Sequence, residues 1–549
     1  MNPHLAGLIE EVLGFVWSNS PTTATAAGIH DHDHRLADYA PEAIQGRIRG
    51  LAGYRRAIAA LRQSAPSLTP DESLDARILE RALEAEVRFL EEVRAPFRDP
   101  TVYLDEILYG VYYLIQREFA PLAERARSAV SRLLEVPRLL RQARENLSDP
   151  AEIPSAWVDA ALLQTGGSLS FLEGLDRDLV PRTGPAAGDL RTALRGALGP
   201  LKEYESHLRD KVRGSAAGRF AIGRDLFDFL LRTQHGLDLD APQLETLGRD
   251  LVARTGERLE AAAREIDPDR PWQDLVGEWK VDHPVREGLV HDYRTEVDRA
   301  REFVRRRHLV TIPAGERLHV VETPPFQRAA CPFAAYLAAG PFEPGQEGFL
   351  WVTPPQDGAP PDVQEKVLQD HLRPGIPATA AHEAYPGHHL QLTVANRIAS
   401  KVRRHFTTPV LVEGWAFYCE QLMAEEGFYD DRRSRVLQLK DELWRACRVV
   451  IDVGLQTGGM QPEEAVRMLR EVARLETPGA RGEVLRYVRT PTQPMSYAVG
   501  KQEILRLREE HRRARRGSFS LQEFHDRLLS FGSIPVGLIR EGLLAGSDA

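Results

Sequence analysis

The chain has 549 residues, of which 42% are hydrophobic and 28% charged, an ordinary soluble globular composition for one large fold or two to three domains. With 71 basic against 80 acidic residues, the net charge of −9 is small for the length and gives no footprint for nucleic acid or an anionic membrane, so neither is expected as a partner. The three cysteines, Cys331, Cys419 and Cys447, form no C-x-x-C pair and no even framework, which argues against a disulfide scaffold and a thiolate metal site and suits a reducing compartment.

Met1 to Leu5 lacks a basic region followed by an apolar run and a cleavage site, and no later apolar run approaches transmembrane length, so the expected location is the cytoplasm. From Leu5 to Trp17 the apolar residues Leu5, Leu8, Ile9, Val12, Leu13 and Val16 fall at helical spacing and predict an amphipathic opening helix. The run His30-Asp31-His32-Asp33-His34 superficially resembles a metal site, but alternation sends its side chains in divergent directions, and it reads as a solvated loop. Between Pro41 and Leu147 the pattern is almost continuously helical, with Ile78, Leu79, Leu83, Val87 and Leu90 on one stripe, as in antiparallel bundle helices.

Breakers mark loops at Pro181–Gly188 and Arg213–Gly223, and Ala241-Pro242 opens a long helix that runs to Ile266. After His308 the character changes. Leu318–Thr323 and Gly348–Thr353 are rich in β-branched and aromatic residues and predict strands of a small sheet, whose edge offers main-chain hydrogen bonds to an extended peptide. Helices resume from Val363 to Phe531. The expected fold is therefore mainly α, with an N-terminal helical region (1–215) and a catalytic helical region with the small sheet (216–549), read as one continuous unit.

The chemistry concentrates in His382-Glu383-Ala384-Tyr385-Pro386-Gly387-His388-His389. In the zincin motif H-E-x-x-H, ligands at i and i+4 share one helical face and the adjacent Glu serves the water. Here Pro386 stands at i+4 and the next histidines at i+6 and i+7, roughly 9 to 10 Å further along a straight helix, too far for one metal. Pro386 lacks an amide proton and clashes with the preceding turn, while Gly387 admits angles that other residues avoid, so a break there is expected to swing His388 (or His389) back beside His382. The third ligand is sought in Val412-Glu413-Gly414-Trp415-Ala416-Phe417-Tyr418-Cys419-Glu420: Glu413 is the chosen ligand, and Glu420, seven residues on, a partner for an imidazole N–H. Two His and one carboxylate with a free Glu383 suit one Zn²⁺ and water activation, with Glu383 as general base and a peptide or small amide as substrate. Two other readings stand beside this one. The same ligands suit non-haem iron, although an oxygenase needs no base at Glu383, and the i+6 spacing suits a non-catalytic helical binding protein with a degenerate site.

His-Glu-x-x-Pro-Gly-His followed by Glu-Gly-Trp-Ala resembles the bacterial DUF885 family, which is similar to gluzincin metallopeptidases. The resemblance extends to Pro21–Gly28 with its His/Asp run, to Arg445–Gly454 and to Gln493-Pro494-Met495-Ser496-Tyr497-Ala498-Val499-Gly500, nearly the whole chain. It implies that Tyr497 is the donor to the oxyanion, as in helical gluzincins. Arg489 is a weaker candidate for that role or for a substrate carboxylate, and His389 and Gln493 are candidates for supporting or substrate contacts. In one departure, a His often follows Gly454-Leu455 in the family pattern where this chain has Gln456, so no role as ligand or proton donor carries over to that position.

Overall fold

The computed structural model describes residues 2–64, 68–324, 328, 331, 333–356, 358–515 and 517–544. The fold is mainly α with one three-stranded sheet, and it divides into two compact units. The first comprises Met1–Ile222 with Pro325–Ala330 and Ala339–Gly345; the second comprises Gly223–Pro324, Cys331–Ala338 and Gln346–Ala549. Among the described residues no helix is long and apolar enough to cross a membrane.

In the first unit the expected helices form with the signals that predict them. Pro3–Asn19 begins on the Asn2 side chain, which accepts the His4 and Leu5 amides, and Pro70–Arg88 begins with a Thr69/Glu72 capping box. The helices Thr101–Gln116, Leu122–Asn146, Ser155–Asp178 and Ala187–His207 bury Leu104, Val111, Leu133, Leu140, Leu172, Leu194 and Leu201 in one core. The His30 to His34 run is less solvated than its composition suggests. His30 stacks on Phe119 with ring centroids 3.7 Å apart and bonds Asp33 at 2.8 Å and Glu343 at 3.2 Å, while Asp33 is buried and accepts the Thr25 hydroxyl at 2.6 Å. Burial alone would lower the His30 pKa, but the hydrogen bonds and charges of Asp33 and Glu343 outweigh it and carry it to about 9.

In the second unit the sheet has the order β1-β3-β2, where β1 is Arg317–Glu322, β2 Ala334–Leu337 and β3 Glu347–Val352. β1 and β3, the two predicted strands, pair in parallel with Val320 opposite Leu350. β2 pairs antiparallel with β3, Tyr336 opposite Leu350, and is an edge that sequence reading missed: four residues beginning Ala-Ala carry neither alternation nor a run long enough to register. The predicted helix after Asp240 is present as Ala241–Arg264, started by an Asp240/Gln243 capping box.

Candidate metal centre

Ile376–Glu383 ends one residue after His382, and a new helix, His388–Asn396, starts at His388. The break falls at Tyr385-Pro386-Gly387, with a cis bond between Tyr385 and Pro386. Gly387 is required by close approach: a Cβ there would lie 1.8 Å from the carbonyl oxygen of His382 and 2.4 Å from that of Ala381. Folding the backbone over on itself here replaces the long axial offset of a straight helix, and the His382 and His388 rings meet with centroids 4.8 Å apart. The i+6 spacing therefore does not keep the two imidazoles separate.

Glu413 comes from Pro409–Glu425, whose first turn is capped by Thr408. That helix crosses Ser496–Ala514 at two glycines: a Cβ on Gly414 would stand 2.5 Å from the Cα of Gly500, and a Cβ on Gly500 would stand 1.9 Å from the carbonyl oxygen of Val410. Glycine at both positions lets the backbones touch, which places Glu413 and Tyr497 on neighbouring helices at the crossing. The glycines of Glu413-Gly414 and Tyr497-x-x-Gly500 thus belong to the motifs for packing reasons.

One ligand atom from each of His382, His388 and Glu413 lies within 4.8 Å of the other two. His388 Nε2 and Glu413 Oε2 are 3.4 Å apart, about the separation of two ligands around a tetrahedral zinc. His382 is buried, and its Nδ1 donates to Glu420 Oε1 at 2.7 Å, which fixes the tautomer and leaves Nε2 to face the centre. Burial opposes ionisation of Glu413, yet the hydrogen bond and charge of His388, with His382 and Arg448, hold its pKa down to about 2, so it is an anion. Burial lowers the His382 pKa, and Glu420, Glu383 and Glu413 together raise it above the usual value. The donor set, two imidazoles and a carboxylate of which one imidazole is oriented by a second carboxylate, is the kind zinc selects in sites that keep an open position.

Glu383, next to His382, accepts the backbone N–H of Tyr336 on β2 at 3.0 Å. Tyr497 stacks toward His382, with centroids 6.5 Å apart and planes 16° from parallel, and the Arg448 guanidinium lies 4.8 Å from the Tyr497 ring centre. Burial and the nearby Glu413 raise the Tyr497 pKa against the pull of Arg448, Arg486 and Arg445, so its hydroxyl keeps the proton it would donate.

The other sequence candidates fall into place around this centre. His389 is fully buried and points elsewhere: Nε2 donates to Glu316 Oε2 at 2.7 Å and Nδ1 lies 3.1 Å from the Tyr336 hydroxyl. Glu316 also accepts the Tyr385 hydroxyl at 2.6 Å and Arg301 at 2.9 Å. Of the two candidate histidines, then, His388 is the one beside His382. Gln493 accepts a hydrogen bond from Arg486 at 2.7 Å, and Arg489 sits in the turn after Thr477–Tyr487, its amide bonded to the Arg486 carbonyl. Gln456 is buried, donates to the Tyr487 carbonyl at 2.9 Å and accepts the Gly223 amide on its own carbonyl, holding a helix end in place. Sequence reading missed Glu316, Tyr336 and the buried Arg448, which donates to the Tyr487 hydroxyl at 2.8 Å and Glu483 at 3.0 Å. The signal for Arg448 was its place in Arg445–Gly454, on a helical stripe that also carries Arg445 and Asp452.

The architecture and the centre define a mainly helical protein with a two-His, one-carboxylate cluster beside a small sheet. The family model described as "Bacterial protein of unknown function (DUF885)" matches residues 21–543, and the chain belongs to that family. It is similar to the solved structure of a "putative lipoprotein of unknown function" from Shewanella oneidensis, at 26% identity and a TM-score of 0.79 over 98% of this chain and 99% of that one. A "putative lipoprotein" from Colwellia psychrerythraea shares the fold at 19% identity and a TM-score of 0.80, over 99% and 98% of the two chains. No curated protein matches.

Proposed function

We propose that the protein is a zinc-dependent hydrolase of peptide or small amide bonds. The observation that carries this reading is the convergence of His382, His388 and Glu413, with Glu383 next in sequence to a ligand and Glu420 orienting that ligand. When bound, the ion would supply a water of lowered pKa and polarise the scissile carbonyl. Glu383 takes the proton of the attacking water and returns it to the leaving amine, and the Tyr336 amide steadies its carboxylate for both transfers. The protonated Tyr497 hydroxyl donates to the oxyanion as charge develops there. Glu420 keeps His382 in one tautomer and one orientation throughout. A free carboxylate at Glu383 favours hydrolysis over the non-haem iron reading, which gives that residue no task.

The test is a peptide-library digest with wild type and Glu383→Gln, with a chelator control. The expected outcome is cleavage by wild type, loss on chelation, and a fall of about two or more orders of magnitude in Glu383→Gln with metal content retained. Full activity in Glu383→Gln would end this mechanism. Cellular location belongs to the same set of tests: composition favours the cytoplasm, the similar structures carry the word lipoprotein, and fractionation of cells expressing the native gene decides between them.

A further inference from the structure

The guanidiniums that flank Tyr497 are unequally employed. Arg448 is fully engaged with Tyr487 and Glu483, and Arg486 with Glu483 at 2.8 Å and Gln493 at 2.7 Å. Arg445, one turn before Arg448 on Arg432–Thr457, has as its polar contacts among the described residues two long ones to Asp441, 3.4 Å to its carbonyl and 3.5 Å to its carboxylate. Its Nε is buried without a hydrogen-bond partner among the described residues. Yet the group is held in place, 4.5 Å from the Trp444 ring centre and 5.9 Å from that of Phe417, which lies one turn beyond Glu413 on its helix. A cation held against two aromatic rings, with Nε unfilled and Nη1 on long contacts, is poised for an anion. The side chain is 17% exposed, so that anion can arrive from solvent.

Charge points the same way. Arg448 and Arg486 share the single carboxylate of Glu483, and Arg445 adds a third positive charge, paired among the described residues with Asp441 at 3.5 Å. Glu383, Glu413 and Glu420 gather around the two imidazoles. A substrate bound at the centre therefore has carboxylates near the bond to be cut and guanidiniums near Tyr497. Planar guanidinium groups pair with carboxylates through two parallel hydrogen bonds, which fixes direction as well as affinity.

We propose that Arg445, backed by Arg448, receives the free α-carboxylate of the substrate, so that the substrates are short peptides cut close to a free C-terminus. This rests on the hydrolase reading above. The test compares acetyl-tetraalanine with its C-terminal amide, and an amidated peptide ending in Asp, on wild type, Arg445→Lys and Arg445→Ala. Binding of the same three probes to Glu383→Gln, alone and combined with Arg445→Ala, is followed by calorimetry, and thermal melts confirm folding. Wild type is expected to prefer the acid to the amide about tenfold or more, mainly through KM, because a charge-assisted bidentate pair is at stake. Arg445→Ala brings the ratio near one, and Arg445→Lys restores part of it. Equal treatment of acid and amide by wild type overturns the proposal, as does a folded Arg445→Ala that keeps the preference. If the amidated Asp peptide matches the acid, the carboxylate source is a side chain and the claim about the C-terminus fails. If wild type cleaves none of the probes while the library digest shows cleavage elsewhere, the claim about short peptides cut near the C-terminus fails; if the library digest also shows none, the hydrolase reading fails, and calorimetry separately tests Arg445 as the carboxylate receptor: acid-selective binding lost with Arg445 upholds that role, and equal binding ends it.

Discussion

Gly387→Ala probes the break between the helices that carry His382 and His388 directly. An added Cβ would sit 1.8 Å from the His382 carbonyl oxygen and 2.4 Å from that of Ala381, both backbone atoms that cannot rotate away. Real Cβ contacts essentially never fall below 3.0 Å, so the backbone around His382 or His388 must move by at least about 1.2 Å. Metal–ligand distances tolerate about 0.2 Å. A displacement several times larger removes one imidazole from the centre, and since loss of a supporting residue already costs about 10- to 100-fold in metal affinity, about 100-fold or more is expected here. Overpacking adds a stability cost of about 1–3 kcal/mol. The assay is zinc titration against a competing chelator, with calorimetric melts of the metal-free protein. Gly482→Ala is the control: that glycine lies inside the helix Thr477–Tyr487 with open space at its Cβ, so alanine should leave zinc affinity unchanged and stabilise slightly. Zinc affinity within threefold of wild type in Gly387→Ala would refute the reasoning that this turn assembles the centre.

Glu420→Gln should weaken zinc binding about 10- to 100-fold without unfolding the chain, because it removes the carboxylate that holds His382 Nδ1, and the same titration reads it. Tyr497→Phe should lower kcat by about 100-fold or more while metal content and melting temperature stay near wild type; a normal kcat would make the residue a packing tyrosine. Gly500→Ala should cost about 1–3 kcal/mol or more in denaturant melts, since its Cβ would stand 1.9 Å from the Val410 carbonyl, and it should impair metal binding by parting the helices that carry Glu413 and Tyr497. His30 gives a pH signature. Its pKa is raised from 6.5 to about 9, so the folded state binds the proton more tightly, and the resulting stabilisation is complete below pH 6.5 and lost as pH rises through 9. The stability difference between wild type and His30→Gln should therefore shrink over that window, and a difference that is flat from pH 6 to 10 would refute the charged pairing with Asp33 and Glu343.

Where residue chemistry is local, the sequence was legible. Pro386 and Gly387 between two histidines signalled a break in the helix, and the break is where the fold turns. Strand β1 and strand β3 announced themselves through their β-branched and aromatic residues, whereas β2 did not, and β2 supplies the amide that binds Glu383. What sequence could not show is pairing across long separations. Glu316 reaches His389 over 73 positions and Arg448 reaches Glu483 over 35, and neither has a local pattern that names its partner. Sequence set Glu420 apart from Glu413 as the partner of an imidazole N–H but could not say which imidazole, and in the structure that partner is His382 Nδ1. The glycines at 414 and 500 carried no visible reason until the two helices were seen to touch.

The central claim is that one zinc ion is held by His382, His388 and Glu413, and anomalous diffraction at the zinc edge, on crystals grown with one equivalent of zinc, tests it most directly. The expected result is a single strong peak within about 2.0–2.2 Å of one atom from each of the three side chains. A map with no peak among them, or with its peak at another group of residues, would contradict the claim.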